Sequence, residues 1–138
     1  MEINKNKVGG IAVLMFFALW ILMLFYKRHQ FLRNYKFTSG IVIEITGPGY
    51  HSTGDYSVLY DYWIGNKKYH KDASYNYCRG WSKSKIKSLL VGKQFPVAYS
   101  TNDPGVCSIL LTQDNADRFK FQLPDSVKFY DSVLTCKQ

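Results

Sequence analysis

The chain has 138 residues, a formal net charge of +8 and 17% aromatic residues, with eleven Tyr, nine Phe and three Trp. Once an apolar N-terminal run is set aside, that length accommodates one small domain and excludes a second catalytic module. The aromatic content argues against disorder and for a packed, β-inclined core, whereas the spread of Lys and Arg fits a membrane surface, a nucleic acid or an acidic partner and selects none of them.

In chain order, a tail over residues 1–7 precedes VGGIAVLMFFALWILMLFY, residues 8–26, which carries no charge and is bracketed by Lys5 and Lys7 before it and Lys27 and Arg28 after it. At about 1.5 Å per residue this run rises roughly 28 Å as a helix, close to the roughly 30 Å hydrocarbon core, so it predicts one transmembrane helix. It is longer than the apolar region of a secretion signal and leads into YKRHQF without a small-residue cleavage site, which favours an uncleaved anchor. Lys27, Arg28, Arg33 and Lys36 outweigh Lys5 and Lys7, and this asymmetry puts the following domain in the cytoplasm, whereas a short basic N-terminus ahead of an apolar run, as in a signal anchor, puts it outside. Residues 27–39 form a basic juxtamembrane segment. In it Phe31, Leu32 and Tyr35 at helical spacing predict a continuation of the helix, with Lys27, Arg28, Arg33 and Lys36 at the headgroups.

A small β-domain is expected over residues 40–112. GIVIEIT reads as a strand from Gly40, stopped by Gly47-Pro48-Gly49. Tyr56, Val58, Tyr60, Tyr62 and Ile64 alternate with Ser57, Leu59, Asp61 and Trp63, the period of a strand. Gly65-Asn66 then supplies a two-residue hairpin turn into a polar, basic strand from Lys67 to about Tyr75. Ser82 is an N-cap for a short helix that buries Ile86, Leu89 and Leu90, and Gly92 closes it. GKQFPVAYSTNDPGVCSILL gives two further strands around a turn at Asn102-Asp103-Pro104-Gly105, where Pro fixes φ and Gly relieves strain; Pro96 marks the first of them as an edge strand or its start. The expected fold is a single transmembrane helix followed by a small mainly-β barrel or roll of about five or six strands with one short helix. Residues 113–138 form a C-terminal tail that can pack on the domain, with Leu123-Pro124-Asp125-Ser126 able to cap a terminal helical turn.

The order of anchor, SGIVIEIT, YSVLYDYWIGNKKY and GKQFPVAYSTNDPGVCSILL, followed by LPDSV, resembles a domain-of-unknown-function family of small membrane proteins from Bacteroidetes-type bacteria. The resemblance covers residues 8–127 and implies a compact β-domain at a bacterial inner membrane; it brings no catalytic residues. Members often carry two membrane helices, where this sequence offers one.

No constellation points to chemistry. His51, His70, Cys78 and Cys107 match no zinc spacing, so no metal or other cofactor is expected. Cys78 with His70 and Asp72 is the best available hydrolase trio, yet no nucleophile turn accompanies it. Glu44 is the only Glu after the anchor, which leaves no paired carboxylates, and GPGYHSTGDY lacks the ending of a phosphate loop. Cys78, Cys107 and Cys136, an odd number without a Cys-x-x-Cys pair, fit a reducing compartment better than an oxidising one, with one disulfide as the alternative. Lys67-Lys68-Tyr69-His70-Lys71 with Trp63, Tyr69 and Trp81 has the composition of a single-strand nucleic-acid platform, but nearby headgroups account for the same charge and nucleic acid is disfavoured.

The sequence therefore predicts a non-enzymatic, membrane-anchored protein-interaction domain, an accessory or immunity-type component of a bacterial envelope system, with Trp63, Tyr69 and Trp81 as the partner surface. The alternatives are a basic nucleic-acid or anionic-lipid binding module at the cytoplasmic face, and a small hydrolase using Cys78 and His70.

Overall fold

The computed structural model describes residues 5–47, 55–76 and 82–135. The elements are α1 (Lys5–Arg33), β1 (Tyr35–Thr46), β2 (Asp55–Ile64), β3 (Lys67–Asn76), α2 (Lys83–Leu90), β4 (Gln94–Ser100), β5 (Cys107–Ile109), α3 (Gln113–Asp117) and α4 (Asp125–Leu134). The strands form one antiparallel sheet in the order β3-β2-β1-β4-β5, curled into a half-barrel. The small β-domain is thus present with five strands among the described residues, and it carries more helix than the single short one expected.

Among the described residues no helix is long and apolar enough to cross a membrane. The described side chains of α1 begin at Val13, and the uncharged run from there to Tyr26 rises only about 21 Å, short of roughly 30 Å of hydrocarbon. The expected span over residues 8–26 is therefore not recovered from the described residues.

The juxtamembrane segment divides differently from the sequence expectation. The helix stops at Arg33, and the first strand starts at Tyr35 instead of Gly40. Long-range packing explains the change. Tyr35 through Ile41 pair with Ser100 back to Gln94 of β4, while the rings of Phe31 and Tyr35 lie 5.1 and 5.2 Å from Phe119 and Phe37 lies 4.6 Å from Phe121. Helical spacing among residues 31–35 could not register partners so far along the chain. Lys27, Arg28 and Arg33 consequently stand on α1, and Lys36 stands on a strand.

β2 and β3 meet as the sequence requires: Ile64 opposes Lys67, and Gly65 sits at φ +58°, a left-handed conformation open to glycine without strain. The even alternation of β2 puts Val58, Tyr60 and Tyr62 into the core and turns Leu59, Asp61 and Trp63 outward. β1 departs from alternation. Val42 opposes Tyr60 and Glu44 opposes Leu59, so Ile43 is a bulge residue; the extra residue returns Ile45 to the core and leaves Ile43 exposed.

α2 is capped by Ser82, whose hydroxyl accepts from the Lys85 amide at 3.4 Å, and it buries Ile86 and Leu90. Gly92 follows at φ +78°, and its amide donates to the Val42 carbonyl at 2.8 Å.

Pro96 lies on a strand flanked on both sides, contrary to the edge reading. Its carbonyl accepts from Leu110 at 2.8 Å, which places its nitrogen on the β5 side, and β5 pairs only with Val97, Ala98 and Tyr99. The missing donor thus falls just beyond the end of that ladder. At this end of β4, beyond its ladder with β5, Tyr130 of α4 packs edge-on against Phe95 at 5.1 Å. Ala116, Phe119, Leu123, Val127 and Leu134 are buried, so the segment after β5 is part of the core.

At Gly40, β1 is crowded by both β2 and β4. A Cβ there would stand 2.6 Å from Val97 Cγ2 and 3.2 Å from the Asp61 carbonyl. Both neighbours are fixed in the sheet, so Gly40→Ala is expected to destabilise the domain by about 1–3 kcal/mol through overpacking. Thermal melting followed by near-ultraviolet circular dichroism checks this; an unchanged transition would show that β1 shifts freely.

Candidate functional site

Two groups of side chains stand out, one on each face of the curled sheet. Inside the curl, buried tyrosines reach towards β5. The Tyr60 hydroxyl lies 3.2 Å from Cys107 Sγ, Tyr62 donates to the Pro104 carbonyl, and Tyr75 donates to the Ile109 carbonyl at 2.7 Å while accepting from Asn115 Nδ2 at 3.0 Å. Burial pushes the Tyr60 and Tyr62 hydroxyls far above their ordinary range and Tyr75 up to about 12. They therefore stay protonated, and Tyr62 and Tyr75 act as structural donors.

The outer face carries a different group. Asp61 is 4% exposed although it lies on the side of β2 that faces away from the core. Lys68 Nζ and His70 Nδ1 both reach its carboxylate, the latter at 2.7 Å, while their own side chains are 57% and 59% exposed. The cross-strand register explains the meeting: His70 is directly opposite Asp61, and Lys68, opposite Trp63, is its diagonal neighbour. Because a carboxylate only accepts, Nδ1 of His70 carries the hydrogen in this bond. Burial pushes the Asp61 carboxyl up, but hydrogen bonds from Lys68 and His70, together with their charges, outweigh it and hold the group below its ordinary range. Trp63, 40% exposed, lies beside this group with the Lys68 ammonium 5.6 Å from its ring centre.

The expected partner surface is divided by this register. Tyr69 faces the interior, stacked on Tyr62 at 5.2 Å and overlain by Lys67 at 5.1 Å, whereas Trp63 faces outward. Trp81 lies outside the described residues. The same alternation separates the basic run: Lys68 and His70 share the outer face, and Lys67, Tyr69 and Lys71 share the inner one. These side chains do not make one stacking platform.

His70 finds Asp61 and not Asp72, which instead accepts from Ser57 at 3.3 Å. Cys78, the other member of the hydrolase trio, lies outside the described residues, as do His51 and Cys136. Cys107 is a free thiol. Among the described residues no group of three or more His, Cys, Asp and Glu side chains is placed to hold a metal ion. Asp61 was readable in the sequence only as an acid at an outward position of a strand; its pairing required the register.

The turn at residues 101–106 is a brace for α1. Asn102 Nδ2 donates to Gln30 Oε1 at 3.0 Å, the Thr101 amide donates to the Asn34 carbonyl at 3.0 Å, and the Gly105 amide donates to Asp103 Oδ1 at 3.0 Å.

Comparisons with protein-family models, with curated proteins and with solved structures found no match.

Removing the Asp61 charge tests the outer cluster. Asp61→Asn is expected to cost about 1–3 kcal/mol at neutral pH, towards the lower end because both partners are well exposed. A carboxyl held below its ordinary value stabilises the fold above that value, and the stabilisation is lost as the pH falls through the lowered folded-state pKa. Wild-type stability should therefore fall in the acid range below about pH 4, and the Asn variant should lose part of that dependence. Denaturant melts across pH check both, and superimposable profiles would count against the pairing.

Proposed function

We propose that this chain is a non-enzymatic, membrane-anchored domain that engages a protein partner through the outer face of its β2–β3 hairpin. The observation that carries the reading is the surface of α1. From Val13 to Tyr26 every large side chain is at least half exposed, around the whole circumference of the helix. A helix that is apolar all round needs an apolar surrounding. α1 is continuous from Lys5, so the uncharged residues 8–26 belong to one helix with a rise of about 28 Å. The bilayer is then the natural surrounding, and the basic residues past Tyr26 favour a cytoplasmic domain at the inner membrane of a bacterium.

The partner surface is supported by the exposed Trp63 and by the edge of β3, beside which no further strand lies among the described residues. An exposed Trp beside a charged cluster is the residue type that anchors interfaces. The β3 edge, carrying Lys67, Lys68 and Lys71, suits an extended acidic segment.

Two measurements check the reading. Alkaline carbonate should leave the chain in the membrane pellet, and external protease on intact spheroplasts should leave a C-terminal tag protected; release or cleavage would remove the anchor or reverse its orientation. A photoactivatable residue at position 63 should yield a discrete cross-linked product in cells, while one at position 128 on α4 should not. Equal labelling at both positions, or none at 63, would remove the partner surface.

A further inference from the structure

We propose that Arg28 and Arg118 form a binding site for the phosphate of an anionic phospholipid headgroup, an inference that rests on the anchored reading of α1. The two arginines line a cavity of about 290 Å³ between α1, β5 and the end of α3, with Ser108 adding a hydroxyl and Leu32 and Phe119 adding apolar wall. Neither guanidinium has a carboxylate partner among the ion pairs of the described residues. Two guanidinium groups that line one cavity and have no carboxylate partner among the described residues match an anion with several acceptor oxygens, since each planar fork can bind two of them.

Position selects the kind of anion. Arg28 and Leu32 follow Tyr26 by roughly 3 and 9 Å along the helix axis. That is the depth of the headgroup layer, which adds roughly 5–8 Å to each side of the hydrocarbon. The wall also changes from guanidinium to Leu32 and Phe119, in keeping with a ligand whose phosphate is joined to an apolar body.

The site is preorganised by the fold. Arg118 is the C-cap of α3, Phe119 donates its amide to Ala116 at 2.9 Å, and Lys120 turns the chain at φ +50°. The Tyr35 hydroxyl holds the Phe119 carbonyl at 2.7 Å, and the Phe119 ring packs on Phe31. Arg118 is therefore carried on a backbone tied to the end of α1, where Arg28 sits. The general attraction of a basic segment for anionic lipid requires none of this arrangement, and the variants below separate the two.

The test uses the full chain in detergent, stripped of lipid and then offered phosphatidylglycerol or phosphatidylcholine, with native mass spectrometry as the readout. The wild type should retain one phosphatidylglycerol and little phosphatidylcholine. Arg28→Gln and Arg118→Gln should each weaken that retention by about tenfold or more, the scale of a lost charge-assisted hydrogen bond. Lys83→Gln removes the same charge from α2 and should leave retention unchanged. Arg118→Lys, which keeps charge and bulk, should fall between wild type and Gln, and it carries the test if the Gln variant does not fold.

Equal retention of the two lipids, or retention insensitive to both arginines, would overturn the site. Displacement of the lipid by inorganic phosphate in the wild type, but not in Arg118→Gln, would assign the cavity to free phosphate and overturn the lipid. Carbonate extraction separates the two failures: a chain washed off the membrane loses the anchor and this site together, whereas an anchored chain with arginine-insensitive retention loses only the site.

Discussion

The fold depends on buried tyrosine hydroxyls that must find hydrogen-bond partners inside a curled sheet. β5 has three residues, and among the described residues no strand lies beyond β3, so the backbone pairing described there does not close the barrel. Tyr60, Tyr62 and Tyr75 extend across the interior instead and meet Cys107, Pro104 and Ile109 on or beside β5. A buried hydroxyl without a partner costs about 1–3 kcal/mol, so each of these contacts fixes where the far side of the sheet can lie. The aromatic rings fill the space between, and the curl follows from satisfying both ends of the same side chains.

The same constraint links the domain to its helix. Tyr62 holds the turn at Pro104, and that turn holds Gln30 and Asn34 at the end of α1. Phe31, buried against Phe119, adds an apolar contact on the other side. The domain therefore meets α1 through fixed contacts on the turn and on the Phe119 segment. This gives residues 26–32 a defined setting, which is why basic side chains that look interchangeable in the sequence acquire different surroundings.

The outer face follows a different logic. Asp61 lies away from the core, yet Lys68 and His70 close over it and shield its carboxylate while remaining exposed themselves. The resulting patch combines a satisfied charge cluster with an exposed indole. Its stability depends on an acid that needs both of its neighbours.

Local signals in the sequence established a good deal. Alternation over residues 56–64 located β2 and its core face, Gly65-Asn66 located the hairpin, and Ser82 with Ile86 and Leu90 located α2, because each signal depends on neighbours a few residues away. Composition established an uncharged run flanked by basic residues, since hydropathy is additive along the chain. What tertiary structure alone decided involves partners distant in sequence. The start of β1 at Tyr35 depends on β4 and on Phe119, the Ile43 bulge on the register with β2, and the accommodation of Pro96 on how far β5 extends. The division of Trp63 from Tyr69, the pairing of Asp61 with Lys68 and His70, and the placing of Arg28 and Arg118 on one cavity have the same origin. Side-chain period tells which residues share a face of one strand, but only the register and the curl of the sheet determine which faces, and which distant residues, come together.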